Sequence, residues 1–320
     1  MMTNLSNSFA FEIMPKPPYS FELTVKKPAG WPLFNPFEVY DSRTLWTATY
    51  IGSRLIGMRI SSSGTINTPI LHIAIHYARR LDDAEKNRIK DIVKKAIGAD
   101  QDLKPFYRMA KKDSILKHTI EDLYGMHDTF SPMIFSEAVL AILLQMAPLK
   151  RSTEMMGSFI KTYGEVADFD GKVIKAWPTP VKIANLSAME IAKRCRVGYR
   201  AKSLVKLAKR LNSEAFPSAE ELDEMDSKEA KRLLLELPGI GDYSADIINP
   251  HGGFPIDVWS AEVFSKLFFD KAPRNNRKAV DRIKTEGLRR WGAWSWMAFF
   301  YVVQDLENLS KKLGKDIRLS

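Results

Sequence analysis

The sequence predicts an α+β protein in which an N-terminal antiparallel β-sheet lobe precedes a mostly α-helical region. As far as Tyr77, short apolar or alternating runs are separated by Pro, Gly, Asn and Ser, which is typical of strands and turns. From Asp102 onwards, apolar residues recur at helical spacing. A chain of 320 residues can bury a large core, and we expect two domains, residues 1–101 and residues 102–320.

The N-terminal lobe is predicted to consist of strands covered by one helix. Asp82 and Glu85 form a capping box that starts this helix, and apolar residues line the face that can lie on the sheet. We interpret the lobe as a scaffold without chemistry. The strands are expected at residues 9–14, 19–25, 46–50, 55–61 and 70–77.

The second region is predicted to consist of successive helices. Ser131 is expected to cap one of them, with Pro132 at its first position, and Ser187 and Glu190 form a capping box for another. Gly198 is expected to end a helix, and Arg200 is expected to add solvated charge to the next. Helices are expected at residues 102–107, 114–124, 131–146 and 288–300, and a helix and loop at residues 161–177.

Composition excludes several kinds of site and favours an anionic partner. The single cysteine, Cys195, excludes an internal disulfide and a four-cysteine zinc or iron–sulfur site. The formal net charge is +10, and residues 271–320 alone hold 12 Lys or Arg against 5 Asp or Glu, which fits either a phosphate-binding face or a solvated surface. Since there is neither a leader nor an apolar run of membrane-spanning length, we expect a soluble intracellular protein.

A Pro-Gly-x-Gly turn between two predicted helices is the candidate ligand-binding element. Pro238 and Gly239 break the helix that starts near Ser227, and Asp242 is expected to cap the next one. Gly239 and Gly241 have no Cβ, so the backbone N–H groups of the turn can approach a phosphate closely. The predicted phosphate-binding residues are Gly239, Gly241, Tyr243 and Ser244.

A second motif, Phe254-Pro-Ile-Asp257-Val-Trp259, follows this turn. Together and in this order, the stretch from Leu237 to Asp246 and this motif resemble the helix-hairpin-helix DNA glycosylase superfamily, in its 3-methyladenine glycosylase II and 8-oxoguanine glycosylase branch. The resemblance implies that Asp257 is the single catalytic aspartate and that Tyr243 and Trp259 line the base pocket. An isolated Asp before a helix is otherwise most often an N-cap.

The implied chemistry needs one carboxylate. Breaking an N-glycosidic bond gives the sugar oxocarbenium character, which a carboxylate in a water-poor pocket stabilises while it orients the attacking water. Bifunctional members of the superfamily have a Schiff-base lysine two residues after the second hairpin glycine, where this chain has Tyr243. We therefore expect a monofunctional enzyme. An aromatic side chain at this position also favours electron-poor alkylated bases.

The end of the helix predicted over residues 131–146 resembles the superfamily segment that wedges into the duplex when a nucleotide is flipped out. Gln145 and Met146 are the residues that match this segment. Apolar residues serve as wedges in other DNA-binding proteins. The alternative is that Met146 is a core residue at a helix end, as burial statistics favour for a methionine.

The resemblance also predicts what the protein binds. A monovalent cation is expected on the backbone carbonyls of Leu235, Leu237 and Ile240, with no other cofactor and no iron–sulfur cluster. The expected partner is double-stranded DNA that contains a damaged base, bound by a monomer away from membranes. Alternatives are removal of 8-oxoguanine or of deaminated or mismatched bases, and a non-catalytic DNA-binding protein in which Asp257 is only a cap.

Overall fold

The protein is described here by a computed structural model that covers residues 2–29, 36–147, 149–213, 216–249 and 252–317. The strands are β1 Met2–Asn4, β2 Asn7–Ile13, β3 Val39–Asp41, β4 Thr44–Ile51, β5 Arg54–Thr65, β6 Thr68–Tyr77, β7 Val166–Phe169 and β8 Lys172–Lys175. The helices are α1 Phe21–Lys26, α2 Asp83–Ala96, α3 Lys104–Ala110, α4 Leu116–Asp122, α5 Ile134–Leu144, α6 Leu149–Tyr163, α7 Pro180–Ala184, α8 Ala188–Cys195, α9 Arg200–Ser213, α10 Ala219–Glu224, α11 Ser227–Leu235, α12 Asp242–Ile248, α13 Val258–Phe269, α14 Asn276–Trp291, α15 Ser295–Gln304 and α16 Leu306–Leu313.

The predicted fold class is confirmed. A five-stranded antiparallel sheet in the order β2-β6-β5-β4-β3 occupies the N-terminal lobe, and the rest of the chain is mostly helical. Helix α2 begins at the predicted capping box of Asp82 and Glu85, and Ile89 and Val93 are buried in one cluster with residues of the sheet. The boundary after residue 101 stays a prediction.

One predicted strand was wrong. Residues 19–25 contain helix α1, which Ser20 caps by accepting a hydrogen bond from the backbone N–H of Leu23. Its apolar residues fit both the two-residue repeat of a strand and the repeat of a helix. The cap and a 2.8 Å ion pair between Glu22 and Lys26, four residues apart, favour the helix.

The predicted loop within residues 161–177 was also wrong, because β7 and β8 form a hairpin there. Asp170 and Gly171 both have positive φ, at 49° and 69°, as the Asp-Gly turn of a two-residue hairpin requires. Strand β1 pairs with β7 in parallel, so the start of the chain joins a sheet formed by its middle. This three-stranded sheet packs Ala167 and Ile174 against Ala48 of the N-terminal lobe.

Helix α5 starts two residues later than predicted, at Ile134 instead of Pro132. Its N-cap position is Met133, and the hydroxyl of Ser131 lies 2.7 Å from that of Ser136. The backbone N–H of Ser131 donates to the carboxylate of Glu137 at 2.5 Å. Ser131 therefore organises the turn before the helix instead of capping it.

The helical region contains two separate hydrophobic clusters. The first includes residues of α5, α6, α8, α9, α11 and α12, and the second includes residues of α3, α4, α13, α14 and α15. The hairpin belongs to the first cluster through Leu237 and Ala245, whereas Phe254 and Ile256 belong to the second. The segment that carries both motifs therefore crosses from one cluster to the other. No helix of the described residues is long and apolar enough to cross a membrane.

Candidate active site and nucleic-acid interface

The two hairpin glycines have different structural roles. Gly239 has φ +87°, and a Cβ there would lie 2.7 Å from the Cβ of Ser203, so the fold itself requires glycine. Gly241 is exposed with extended backbone at φ −106° and ψ −175°, and no atom lies within 4 Å of a Cβ built on it. The space beside Gly241 is therefore open to a ligand.

Asp242 does not cap α12, because Gly241 occupies the N-cap position. Its carboxylate instead pairs with Lys231 of α11 at 2.6 Å and with Lys284 of α14. Burial raises the pKa of Asp242, but the hydrogen bonds from the two lysines outweigh burial and lower it. The same lysines hold the buried Asp246, each at 2.6 Å. This network of two lysines and two aspartates fastens the hairpin to α14.

Helix α14 also positions the segment that leads to Asp257. The ring of Phe254 is fully buried, and a Cβ at Gly287, one turn beyond Lys284, would lie 2.2 Å from it. Gly253 packs in the same way on Asp246, where a Cβ would lie 2.5 Å from a carboxylate oxygen. Glycine at both positions lets the second motif lie directly against the hairpin and α14.

Asp257 is the N-cap of α13. Its Oδ1 accepts hydrogen bonds from the backbone N–H of Ser260 at 2.7 Å and from the Ser260 hydroxyl at 2.8 Å. Its own backbone N–H donates to Ser260 Oγ at 2.8 Å, which completes a capping box. All of these side-chain contacts use Oδ1, so capping and a second function at Oδ2 are compatible.

Tyr243 lies close enough to Asp257 for the two groups to interact electrostatically. Burial raises the pKa of the Tyr243 hydroxyl, and the negative charge of Asp257 raises it further. Tyr243 is therefore neutral at all physiological pH values. Tyr243 lies on α12, whose Ala245 belongs to the first hydrophobic cluster, and Asp257 caps α13, whose Ala261 belongs to the second.

Met146 is exposed, in contrast to the core position that burial statistics favour. Its side chain is 70% exposed, and its φ of +49° lies in the left-handed region. The preceding residue, Gln145, donates from Nε2 to the carbonyl of Gly239 at 2.7 Å and to the hydroxyl of Ser244 at 3.0 Å. The exposed methionine thus stands beside the hairpin turn.

Two further predicted site residues are engaged inside the protein. Ser244 is buried, and its hydroxyl accepts the hydrogen bond from Gln145. Only its backbone N–H is therefore left as a candidate phosphate donor. Trp259 is half-buried and packs on the second hydrophobic cluster.

Arg200 was wrongly expected to be solvated. It is 8% exposed, its guanidinium lies 4.7 Å from the ring centre of Tyr199, and Nη2 donates to the carbonyl of Gln145.

The sequence predicts core packing for Trp296, with a base-pocket wall as the alternative, and the structure places it beside the second motif. A Cβ at Gly252 would lie 2.4 Å from the Cβ of Trp296, and the hydroxyl of Ser295 donates to the carbonyl of Gly253 at 3.1 Å. The indole N–H of Trp296 donates to Asp128 at 2.5 Å, and the ring is half-buried. Trp291, at the end of α14, is buried in the second hydrophobic cluster.

The three carbonyls predicted to hold a monovalent cation lie at the end of α11 and in the turn. The carbonyl of Leu237 accepts the N–H of Ile240 at 3.1 Å, which closes the turn. A carbonyl oxygen has two lone pairs, so this hydrogen bond leaves it able to coordinate a cation. The cation site on the carbonyls of Leu235, Leu237 and Ile240 stays a prediction.

No family model matches the chain. A DNA-3-methyladenine glycosylase from Bacillus subtilis is 25% identical over 234 residues, which are 70% of this chain and 74% of the relative. The fold is similar to that of a 3-methyladenine DNA glycosylase from Archaeoglobus fulgidus, with a TM-score of 0.73, 18% identity, and coverage of 95% of this chain and 99% of the other. It is also similar to an 8-oxoguanine glycosylase/lyase from Clostridium acetobutylicum solved with double-stranded DNA, with a TM-score of 0.69, 16% identity, and coverage of 94% and 98%.

Proposed function

We infer that this chain, whose relatives and structural neighbours are helix-hairpin-helix DNA glycosylases, excises damaged bases from DNA in base repair. The observation that carries this proposal is that the segment leading to Asp257 packs directly on the hairpin, with Gly253 against Asp246, and that the charge of Asp257 acts on Tyr243 of the hairpin. Removal of a base from its sugar needs both groups. The aromatic ring stacks on the base, and the carboxylate stabilises the positive charge that develops on the sugar.

Asp257 is proposed as the catalytic residue. As the glycosidic bond lengthens, positive charge develops on the sugar ring, and a fixed carboxylate nearby stabilises it without reorganisation. Ser260 fixes Oδ1, which leaves Oδ2 to face the sugar and orient the attacking water. The capping box thus serves as the support that holds the catalytic side chain in place.

The proposed enzyme is monofunctional. A Schiff base needs a neutral amine, and the position two residues after the second hairpin glycine holds Tyr243. Burial lowers the pKa of the nearby Lys231, but its hydrogen bonds to Asp242 and Asp246 outweigh burial and raise it, so this amine stays protonated. Both Lys231 and Lys284 are committed to the ion-pair network. The 8-oxoguanine glycosylase/lyase among the structural neighbours has a similar fold at 16% identity.

The proposed substrates are alkylated bases. Alkylation at a ring nitrogen gives a base such as 7-methylguanine a positive charge, which aromatic faces attract more strongly than neutral bases. The neutral ring of Tyr243 offers one such face, and the half-buried indole of Trp296 beside Gly252 offers a candidate second one. Trp259 is retained as a third candidate wall of the pocket.

The proposed DNA grip combines the wedge and the hairpin. Met146, exposed beside the turn, enters the gap that base flipping leaves in the duplex. Backbone N–H groups around Gly239, Gly241 and Ser244 contact one phosphate, where a monovalent cation on the carbonyls of Leu235, Leu237 and Ile240 would add positive charge. These contacts are independent of sequence, as damage recognition requires.

A panel of lesion duplexes tests the proposal. End-labelled duplexes with one 7-methylguanine, 1-methyladenine, hypoxanthine, 8-oxoguanine or uracil are incubated with the protein and analysed with and without hot alkali. Strand cleavage that appears only after alkali, together with release of a free alkylated base and no borohydride-trapped adduct, is the expected result. Cleavage without alkali contradicts monofunctionality, release of 8-oxoguanine alone moves the substrate to oxidised bases, and binding without excision favours a DNA-binding protein in which Asp257 only caps α13.

A further inference from the structure

Met146 is held in a conformation that its own chemistry disfavours. A left-handed backbone costs a non-glycine residue about 1 kcal/mol, and Met146 has φ +49°. It also exposes 70% of an apolar side chain to water. Neighbouring contacts must therefore hold this residue in place.

Gln145, the residue before Met146, makes three such contacts. Its side-chain Nε2 donates to the carbonyl of Gly239 at 2.7 Å and to Ser244 Oγ at 3.0 Å, and its backbone carbonyl accepts from Arg200. Arg200 is itself buried and lies over the ring of Tyr199. The end of α5 is thus tied to the hairpin turn, to α12 and to the start of α9.

The hydrogen bonds of the Gln145 side chain show whether it has a free N–H donor for DNA. A carboxamide has two N–H donors, and both have acceptors inside the protein. The side chain is therefore committed to the hairpin and is not a free donor for a base. The acceptor at Gly239 also belongs to the turn that is proposed to grip phosphate.

We propose that Gln145 is a positioning residue that couples the hairpin to the wedge, so that its hydrogen bonds to the turn are what present Met146 to the duplex. This inference rests on the proposed glycosylase function. In it, Gln145 does not contact DNA itself but acts on the duplex through Met146. Phosphate grip and base extrusion then form one cooperative step.

A double-mutant cycle of Gln145→Met and Met146→Ala tests the coupling. Gln145→Met keeps the length of the side chain, removes both donors and adds no charge. For the wild-type chain, both single variants and the double variant, the measured quantity is the ratio of dissociation constants for an undamaged duplex and a duplex with a stable abasic-site analogue. This ratio removes effects that act on all DNA equally.

The expected result is that each single variant lowers the ratio about tenfold, equivalent to about 1.4 kcal/mol, and that the double variant is no worse than Met146→Ala. Ser244→Ala, which removes one acceptor and keeps Gly239, is expected to give a smaller loss that also vanishes on the Met146→Ala background. Thermal unfolding of each variant checks the fold, and Ser244→Ala carries the test if Gln145→Met does not fold.

Two outcomes overturn different claims. If the losses add in the double variant, Gln145 acts independently of Met146, through DNA or through the fold, and the coupling is wrong. If the wild-type chain does not prefer the abasic-site duplex, the proposed glycosylase function fails before the coupling is reached.

Discussion

Tyr243 and Asp257 belong to helices of different hydrophobic clusters, yet they lie close enough for the charge of Asp257 to raise the pKa of the Tyr243 hydroxyl, in addition to the effect of burial. Helix α14 brings them together because it binds the hairpin through Lys284 and packs the second motif through Gly287. The proposed active site is thus a junction between two cores and not a feature of either.

The aromatic ring of Tyr243 is expected to matter more than its hydroxyl. Tyr243→Phe keeps the face that stacks on a base and is expected to retain excision of 7-methylguanine within a few-fold, whereas Tyr243→Leu is expected to lose about tenfold, as a lost cation–π contact of about 1 to 2 kcal/mol predicts. Single-turnover rates on 7-methylguanine and on neutral hypoxanthine measure this. Equal losses on the charged and the neutral base would show that charge recognition is not the role of this ring.

The two hairpin glycines are expected to separate binding from folding. The methyl group of Gly241→Ala contacts no protein atom, so the variant should fold normally. Its affinity for every duplex should fall by at least about fivefold, because the methyl group obstructs the phosphate. Gly239→Ala is the contrasting variant and is expected to lower the unfolding temperature, since it has φ +87° and meets Ser203. Unchanged affinity of Gly241→Ala for damaged and undamaged duplexes would remove the hairpin from the DNA interface.

Glu137 is expected to make stability depend on pH. Burial raises the pKa of Glu137 to about 7, although the N–H of Ser131 and the charge of Lys27 oppose burial, and the charge of Asp128 adds to it. Because the pKa of Glu137 is higher in the folded chain than in the unfolded chain, the contribution of Glu137 to the free energy of unfolding is full below about pH 4.5. It is lost as the pH rises through about 7, and its magnitude is up to about 3 kcal/mol.

The variant Glu137→Gln is the matched test, because its carbonyl can still accept from Ser131. Its free energy of unfolding should be close to that of the wild-type chain at pH 5 and higher than it at pH 8. The same difference at both pH values would contradict a buried, protonated Glu137.

Local patterns predicted those elements whose signals are local. The capping box at Asp82 and the turn between α11 and α12 were found because the residues that form them are neighbours in the chain. The Asp170-Gly171 turn also has a local hairpin signal, although a loop was predicted there. Residues 19–25 fit both the strand and the helix repeat, and the cap at Ser20 and the Glu22–Lys26 pair favour the helix.

Tertiary contacts decided the rest. No periodicity predicts that Met146 is exposed, that Arg200 is buried against Gln145, or that Trp296 lies beside Gly252, because each depends on elements far apart in the chain. The two aspartates show the same limit. Asp242 resembled a cap and is part of an ion-pair network, whereas Asp257 is a cap and is also the proposed catalytic group.

The catalytic role of Asp257 can be separated from its capping role with two variants. Asp257→Asn keeps an N-cap of similar strength and removes the charge, whereas Ser260→Ala keeps the charge and removes the hydroxyl that holds Oδ1. Both are compared with the wild-type chain for single-turnover excision of 7-methylguanine and for thermal unfolding.

We predict that Asp257→Asn unfolds at nearly the wild-type temperature and excises at least about a hundredfold more slowly, which is the scale for losing a fixed group that stabilises charge in the transition state. Ser260→Ala should lose about 1 kcal/mol of stability and remain active. An Asp257→Asn variant that excises the base at the wild-type rate would show that Asp257 is only a cap and would contradict the proposed mechanism.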